Sequence, residues 1–208
     1  MKKWIASLLA ATMTISCVTG CGKTAENKTP ETQASPETSA KENTPEKEEI
    51  SSDMRIFTDM LGREVEIPAK IDSIVPLGNA PRMIVYLGLA DLVVGIEECE
   101  IAETPLQAYA YPQKEAWSKL PNCGTNSMGE TAYYPEQIMQ ANPDVILTTD
   151  PADVADNLQE QTGIPVVCVS QGTLFKEDYD ESLRTLADVC DVQDRAETLI
   201  NFLHTTLD

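Results

Sequence analysis

Five short stretches carry the side chains with the most chemistry to offer, and four of them follow an apolar run. They are Gly78-Asn79-Ala80-Pro81-Arg82, Glu97-Glu98, Tyr133-Tyr134, Thr149-Asp150 and Gln171-Gly172-Thr173. Gly78, Asn79 and Ala80 stand just before a Pro-opened helix, where free backbone N–H groups would seat an oxygen-rich ligand or an anion; the alternative is an ordinary helix cap. Arg82 is the only basic residue in these loops and suits a carboxylate or catecholate partner, or else a surface ion pair. Tyr133 and Tyr134 are suited to stack on a planar ligand or give a phenolate to ferric iron, or to half-buried packing. Glu97 and Glu98 offer oxygen ligands to a bare cation, or form an acidic surface loop. The one histidine, His204, lies late in the last helical stretch. Sites for free zinc or manganese need several His and carboxylate ligands, so no metal site is assigned. There is no Gly-x-Ser-x-Gly, no phosphate-binding Gly-x-x-x-x-Gly-Lys and no Gly-x-Gly-x-x-Gly. No catalytic residue, enzyme activity or cofactor is therefore expected.

The apolar runs before these loops read as strands. Arg55–Thr58 and Arg63–Ile67 form a hairpin around Asp59-Met60-Leu61-Gly62, stopped by Pro68. Ser73–Leu77, Leu92–Ile96, Asp144–Thr148 and Pro165–Val169 are short buried-strand signals. Helices are expected from Pro81 to Leu87, Pro135 to Gln140, Asp153 to Gln161, Asp178 to Val189 and from Val192 to the end. Residues 98–134 are weakly periodic, with a short helix near Thr104–Tyr109. The segment Gly124–Tyr134 reads as a connection, rich in Gly, Asn, Ser and Tyr. Strands alternating with helices after one hairpin give an α/β class with a mainly parallel sheet flanked by helices. In such sheets ligands meet the loops at the carboxyl ends of strands, which makes four of the stretches candidates; Tyr133-Tyr134 joins them as the end of the Gly124–Tyr134 connection between elements.

The chain opens differently. Lys2 and Lys3 precede an apolar stretch from Ile5 to Val18, too short and wrongly flanked for a membrane span. Val18-Thr19-Gly20-Cys21 resembles a bacterial lipobox, in which the cysteine is acylated and becomes the mature N-terminus. Residues 1–20 are then a lipoprotein signal peptide, and Cys21 anchors the chain to a membrane outside the cytoplasm. Residues 21–52 continue as a linker of Thr, Pro, Glu, Lys, Ser, Ala and Asn, with too little apolar surface to offset its ordering entropy. From residue 53 onward the chain holds 9 Lys and Arg against 27 Asp and Glu. That balance excludes a nucleic-acid partner, which needs a basic stripe to neutralise phosphates. Cys99, Cys123, Cys168 and Cys190 remain after the signal and anchor, as two disulfides with three possible pairings or as buried free thiols.

Several blocks then resemble one family. Phe57-Thr58-Asp59-Met60-Leu61-Gly62-Arg63-Glu64-Val65-Glu66-Ile67-Pro68 is similar to the opening hairpin of substrate-binding lipoproteins of ABC importers for iron chelates, haem and cobalamin. Ser73-Ile74-Val75-Pro76-Leu77-Gly78 and Tyr86-Leu87-Gly88-Leu89-Ala90-Asp91-Leu92-Val93-Val94-Gly95-Ile96 resemble its first strand–helix–strand. Pro135-Glu136-Gln137-Ile138-Met139-Gln140-Ala141-Asn142-Pro143-Asp144-Val145-Ile146-Leu147 and Gly163-Ile164-Pro165-Val166-Val167 resemble its later helix–strand blocks. The resemblance implies two α/β lobes joined by a long helix, with ligand between them. Residues 53–190 would be the N-terminal, Rossmann-like lobe and residues 191–208 the start of the joining helix, with the second lobe missing from the sequence. It implies an iron chelate, haem or corrinoid as ligand and the transmembrane subunits of an ABC permease as partner. It also implies an acidic docking residue, for which Asp153 is nearest, although glutamate is usual there. The alternative is a single-lobe surface lipoprotein that serves as a scaffold or partner-binding module.

Overall fold

The computed structural model describes residues 53–102, 107–127 and 130–206. The signal, Cys21 and the linker lie outside the described residues.

The hairpin forms as the alternation demands. β1 (Met54–Thr58) pairs antiparallel with β2 (Glu64–Pro68). Phe57, Val65 and Ile67 turn inward while the residues between them face out. Its turn is built around the buried Asp59, whose Oδ1 accepts the Leu61 and Arg63 N–H groups at 3.0 and 2.9 Å. Asp59 Oδ2 accepts the Cys168 N–H at 3.1 Å, and Arg63 donates to the Val166 carbonyl at 3.1 Å. The hairpin is thereby fixed to the far strand of the main sheet.

That sheet is parallel, in the order β3 (Ile74–Pro76), β7 (Val145–Thr148), β8 (Val166–Cys168). Its strands are short, apolar and buried on both faces, as strands covered by helices on both sides must be. Alternate side chains feed two cores. Ile74, Val145, Leu147 and Val167 pack with α1 (Ala80–Tyr86), α6 (Glu177–Val189) and α7 (Gln193–Thr205) through Met83, Ile84, Leu183, Leu186, Ala196 and Ile200. Val75, Ile146, Val166 and Cys168 pack with α4 (Pro135–Ala141) and α5 (Ala152–Thr162) through Ile138, Ala155 and Leu158. Each fully buried aliphatic side chain contributes about 1.5–3 kcal/mol. The α/β class, the parallel sheet between helices and the N-terminal hairpin are thus as the sequence implies.

The middle of the chain departs from that expectation. Leu92–Ile96 is not one strand. Ala90–Leu92 is a 3-10 turn, Val93 makes a single parallel bridge to Ile74, and only Ile96–Glu97 (β4) is a strand. β4 joins a second sheet in the order β4-β5-β6, parallel to β5 (Asn122–Ser127), which pairs antiparallel with β6 (Glu130–Tyr133). The Gly124–Tyr134 connection is therefore largely a hairpin. Gly95 explains the tight approach of the two sheets, because a Cβ there would lie 2.5 Å from Cys123 Sγ and 3.1 Å from Val75. The helix expected near Thr104–Tyr109 falls partly on residues 103–106, outside the described residues. Residues 107–110 are a turn closed by the Ala110 N–H on the Gln107 carbonyl at 3.0 Å. Two four-residue helices flank it, α2 (Glu98–Ile101) and α3 (Lys114–Trp117).

Candidate ligand wall at the strand ends

The carboxyl ends of β3, β4 and β7 converge, and hydrogen bonds between their loops hold them there. Gly78 adopts φ 65°, a conformation open to glycine. Its N–H donates to Glu97 Oε2 at 2.7 Å, and the Asn79 N–H donates to Thr149 Oγ1 at 3.0 Å. The Ala80 N–H donates to the Leu77 carbonyl at 3.2 Å. The expected free N–H groups at Gly78, Asn79 and Ala80 are thus all engaged within the chain. The reason is chain crossing: two neighbouring strands present acceptors at this point, Glu97 from β4 and Thr149 after β7.

Glu97 and Glu98 part company. Glu98 is exposed, whereas Glu97 is wholly buried, with Oε1 lacking a partner among the described residues. Burial pushes the Glu97 carboxyl up to about 8; the Gly78 N–H opposes this, and the charges of Glu100 and Asp150 add to it. Glu100, which the sequence reading passed over, is 3% exposed. Burial raises it to about 7, against the opposing effects of the Tyr109 hydroxyl and the Arg82 charge. Tyr109 Oη donates to Glu100 Oε1 at 2.8 Å, and Glu100 Oε2 is unpartnered among the described residues. The available signal was the spacing: Glu97 and Glu100 stand three apart at the start of a helix, on one face.

Tyr133 and Asp150 form a second contact across the sheets. Tyr133 Oη donates to Asp150 Oδ2, and Thr148 Oγ1 donates to the same oxygen at 2.6 Å. Burial, with the Asp150 bond and charge behind it, pushes the Tyr133 phenol far up, so it stays protonated and holds Asp150 instead of standing free as a phenolate. Tyr134 is exposed and, with Tyr133, Pro135, Gln137 and Met139, lines an open groove of about 630 Å³. Thr148 was missed because a threonine inside an apolar strand reads as strand packing.

Arg82 is half-buried, with its guanidinium 5.8 Å from the centre of the Tyr179 ring. Its charge favours the ionised form of Glu100. Gln171 is exposed beyond β8 and, among the described residues, makes no hydrogen bond to the wall. Asp153 is exposed in the first turn of α5. His204 Nε2 lies 2.6 Å from Oδ2 of the buried Asp180, tying α7 to α6. Cys99, Cys123, Cys168 and Cys190 are all free thiols, buried except for the half-buried Cys99. Burial raises the Cys123 and Cys190 thiols to about 12 and those of Cys99 and Cys168 to about 11. Among the described residues no group of three His, Cys, Asp or Glu side chains is placed to hold a metal ion, and no helix is long and apolar enough to cross a membrane.

A doubly wound α/β domain whose strand-end loops build a polar wall has the form of a solute-binding fold. The sequence profile described as "Periplasmic binding protein" matches residues 74–208, more than half of the chain, and the chain belongs to that family. The family is named for an extracytoplasmic compartment, and the solved proteins that resemble this chain are solute binders rather than enzymes. The periplasmic solute binding protein from Veillonella parvula is 27% identical with a TM-score of 0.56, covering 72% of this chain and 44% of its own. The heme binding protein HmuT is 19% identical with a TM-score of 0.52 over 71% of this chain and 44% of that one. The petrobactin-binding protein YclQ from Bacillus subtilis is 16% identical with a TM-score of 0.55 over 73% and 50%. At such low identity the last two support the fold alone. This chain spans half or less of the length of these solved proteins. No curated protein matches.

Proposed function

We propose that this chain receives the ligand of an extracytoplasmic, lipid-anchored substrate-binding component of an ABC importer. The ligand class is an iron chelate, haem or corrinoid. The chain supplies one wall of the binding cleft, residues 53–190, with 191–208 beginning the helix that leads to a second lobe. Cys21 carries the lipid, residues 21–52 act as the tether, and residues 1–20 are the signal. Asp153 docks on the permease.

The observation that carries this reading is the convergence of three strand ends on one polar wall, Gly78 on Glu97, Asn79 on Thr149 and Tyr133 on Asp150, in a chain of this family. Ligand closes between two such walls by small rocking motions about the joining helix. Gly78, Asn79, Ala80, Arg82, Glu97, Glu98, Tyr133, Tyr134, Thr149, Asp150 and Gln171 are the residues proposed to line or shape the ligand's seat. In this reading Glu97 and Thr149 act by holding the Gly78–Asn79 turn in position.

The test is ligand titration followed by the fluorescence of Trp117, which is buried, with Trp4, the other tryptophan, replaced by Phe. Ferric siderophores, haem, cobalamin and free divalent metals are titrated into the 208-residue chain and into the product of the reading frame continued past codon 208. Tight binding of a chelate or tetrapyrrole by the longer product, and weak binding by the shorter, is expected. Silence from both across the panel overturns the assignment.

A further inference from the structure

We propose that the turn Thr173–Lys176, between β8 and α6, seats the flat face of a conjugated macrocycle, with the Phe175 ring as its stacking surface. The inference rests on the reading that the strand ends receive a chelate or tetrapyrrole, and it names the shape of that ligand.

The turn is closed by the Lys176 N–H on the Thr173 carbonyl at 2.9 Å. Phe175 is its third residue and adopts φ 69°. A left-handed third residue in a turn is by preference glycine or asparagine, because a bulky side chain is strained there. An aromatic residue at such a place costs stability, and strain of this kind persists at ligand clamps and active sites.

Packing supplies no other reason for the ring. Phe175 is half-buried but belongs to neither of the two cores, and Leu174 beside it is 39% exposed. The loop is nevertheless held firmly. The Gly172 N–H donates to Ser170 Oγ and the Thr173 N–H to Asp178 Oδ2, both at 3.1 Å. A Cβ on Gly172 would lie 2.8 Å from Tyr179 Cα, so the chain is pressed against the first turn of α6. Leu174 and Phe175 are thus an apolar pair on a fixed backbone.

The position fits a ligand. The turn follows the carboxyl end of a parallel strand, where ligands of such sheets sit. It also adjoins the polar wall: the Tyr179 ring behind it lies 5.8 Å from the guanidinium of Arg82, which stands in the first turn of α1. A rigid ring beside polar groups suits a flat π-system, which stacks on it. An open-chain hydroxamate chelate presents no such face.

The experiment uses gallium(III) protoporphyrin IX, which is fluorescent and diamagnetic. The probe is kept submicromolar while the 208-residue chain is raised to millimolar concentration, so that weak binding by one wall is visible as anisotropy. The ring current of the bound probe is expected to move the Leu174 methyl resonances upfield. Phe175→Gly is expected to weaken binding about tenfold, through the lost stacking surface. The same variant should raise the urea midpoint by roughly half a molar, because glycine relieves the strain. Phe175→Tyr keeps the ring and should bind as the wild type does. Phe202→Ala, which removes an exposed aromatic ring from α7, should leave binding unchanged. Undiminished binding by Phe175→Gly overturns the inference, and so does a lowered urea midpoint, which would make the ring ordinary packing. The gallium(III) complex of desferrioxamine B is titrated in parallel, followed by the amide shifts of Gly78 and Asn79. A response to that complex alone overturns the macrocycle inference and leaves the chelate reading standing. No response to either probe overturns both.

Discussion

Glu97 Oε2 accepts the Gly78 N–H at 2.7 Å while the other oxygen of the same carboxyl lies buried without a partner among the described residues. One acid thus holds a left-handed turn at the end of the first parallel strand and remains half-satisfied. Gln at this position keeps an oxygen acceptor for Gly78 but carries no charge, which separates the two roles.

The first prediction concerns pH. The folded carboxyl of Glu97 is raised to about 8 from its ordinary value of 4.5. Between those values the folded state holds a proton that the unfolded state has lost. Stability therefore falls as pH rises through that window and levels off above it. Glu100, raised to about 7, adds to the same slope over a narrower range. Denaturant unfolding at intervals from pH 5 to 9 should show the decline, and Glu97→Gln should flatten it. The variant should gain stability at pH 9 on the order of a few kcal/mol. An unchanged slope in the variant would remove Glu97 as its cause.

Gly78 is the second. At φ 65°, any other residue is strained, and a Cβ would lie 2.8 Å from Thr149 Oγ1. Gly78→Ala should cost about 1–3 kcal/mol from the backbone alone. Shortening the neighbour in Thr149→Ser leaves the hydroxyl in place and should not relieve it, whereas Thr149→Ala in the same background should recover part of the loss. Urea midpoints of the wild type, Gly78→Ala, Thr149→Ala and their double variant form the cycle that decides this, with the two Thr149→Ser proteins as the control.

The third prediction tests the link between the sheets. Tyr133 from β6 and Thr148 from β7 both donate to Asp150 Oδ2. Tyr133→Phe removes one donor from a half-buried carboxylate and should destabilise by about 1–3 kcal/mol. The phenol is pushed well above its usual range, so the wild-type spectrum should show no tyrosinate from this residue on alkaline titration before unfolding. A Tyr133 resonance titrating near pH 10 in the folded protein would contradict the contact.

Much of this architecture was legible in the sequence, and the reasons differ by element. Val145–Thr148 and Val166–Cys168 are read easily because a strand covered on both faces is a near-continuous apolar run. Pro135 and Gly163 mark helix ends because proline presets the backbone of a first turn and glycine tolerates the left-handed C-cap. Asn122–Tyr133 was opaque because that hairpin is held by backbone pairing of polar residues, leaving no hydrophobic alternation to detect. The wall was half-visible. Strand-end logic found Gly78, Glu97, Thr149 and Asp150, but it could not show that Glu97 is buried, that Tyr133 is bonded to Asp150, or that Glu100 and Tyr109 pair. Those facts depend on which loops cross, and crossing is set by sheet order.

The last prediction concerns the proposed permease contact. Asp153 is exposed in the first turn of α5 and makes no hydrogen bond or ion pair among the described residues. Its neighbour Asp156, by contrast, pairs with Arg63 at 2.9 Å and helps hold the hairpin. Asp153→Lys should therefore cost only about 1 kcal/mol of stability, from replacing an anion by a cation at a helix N-terminus. If Asp153 is the docking residue, the same change should reduce ligand uptake by cells about tenfold or more while ligand binding by the purified protein is unaltered, as charge reversal at an interface replaces attraction by repulsion. Asp156→Lys is the control with the opposite pattern: loss of stability through the Arg63 network. Uptake that survives Asp153→Lys intact would place the docking contact elsewhere on the domain.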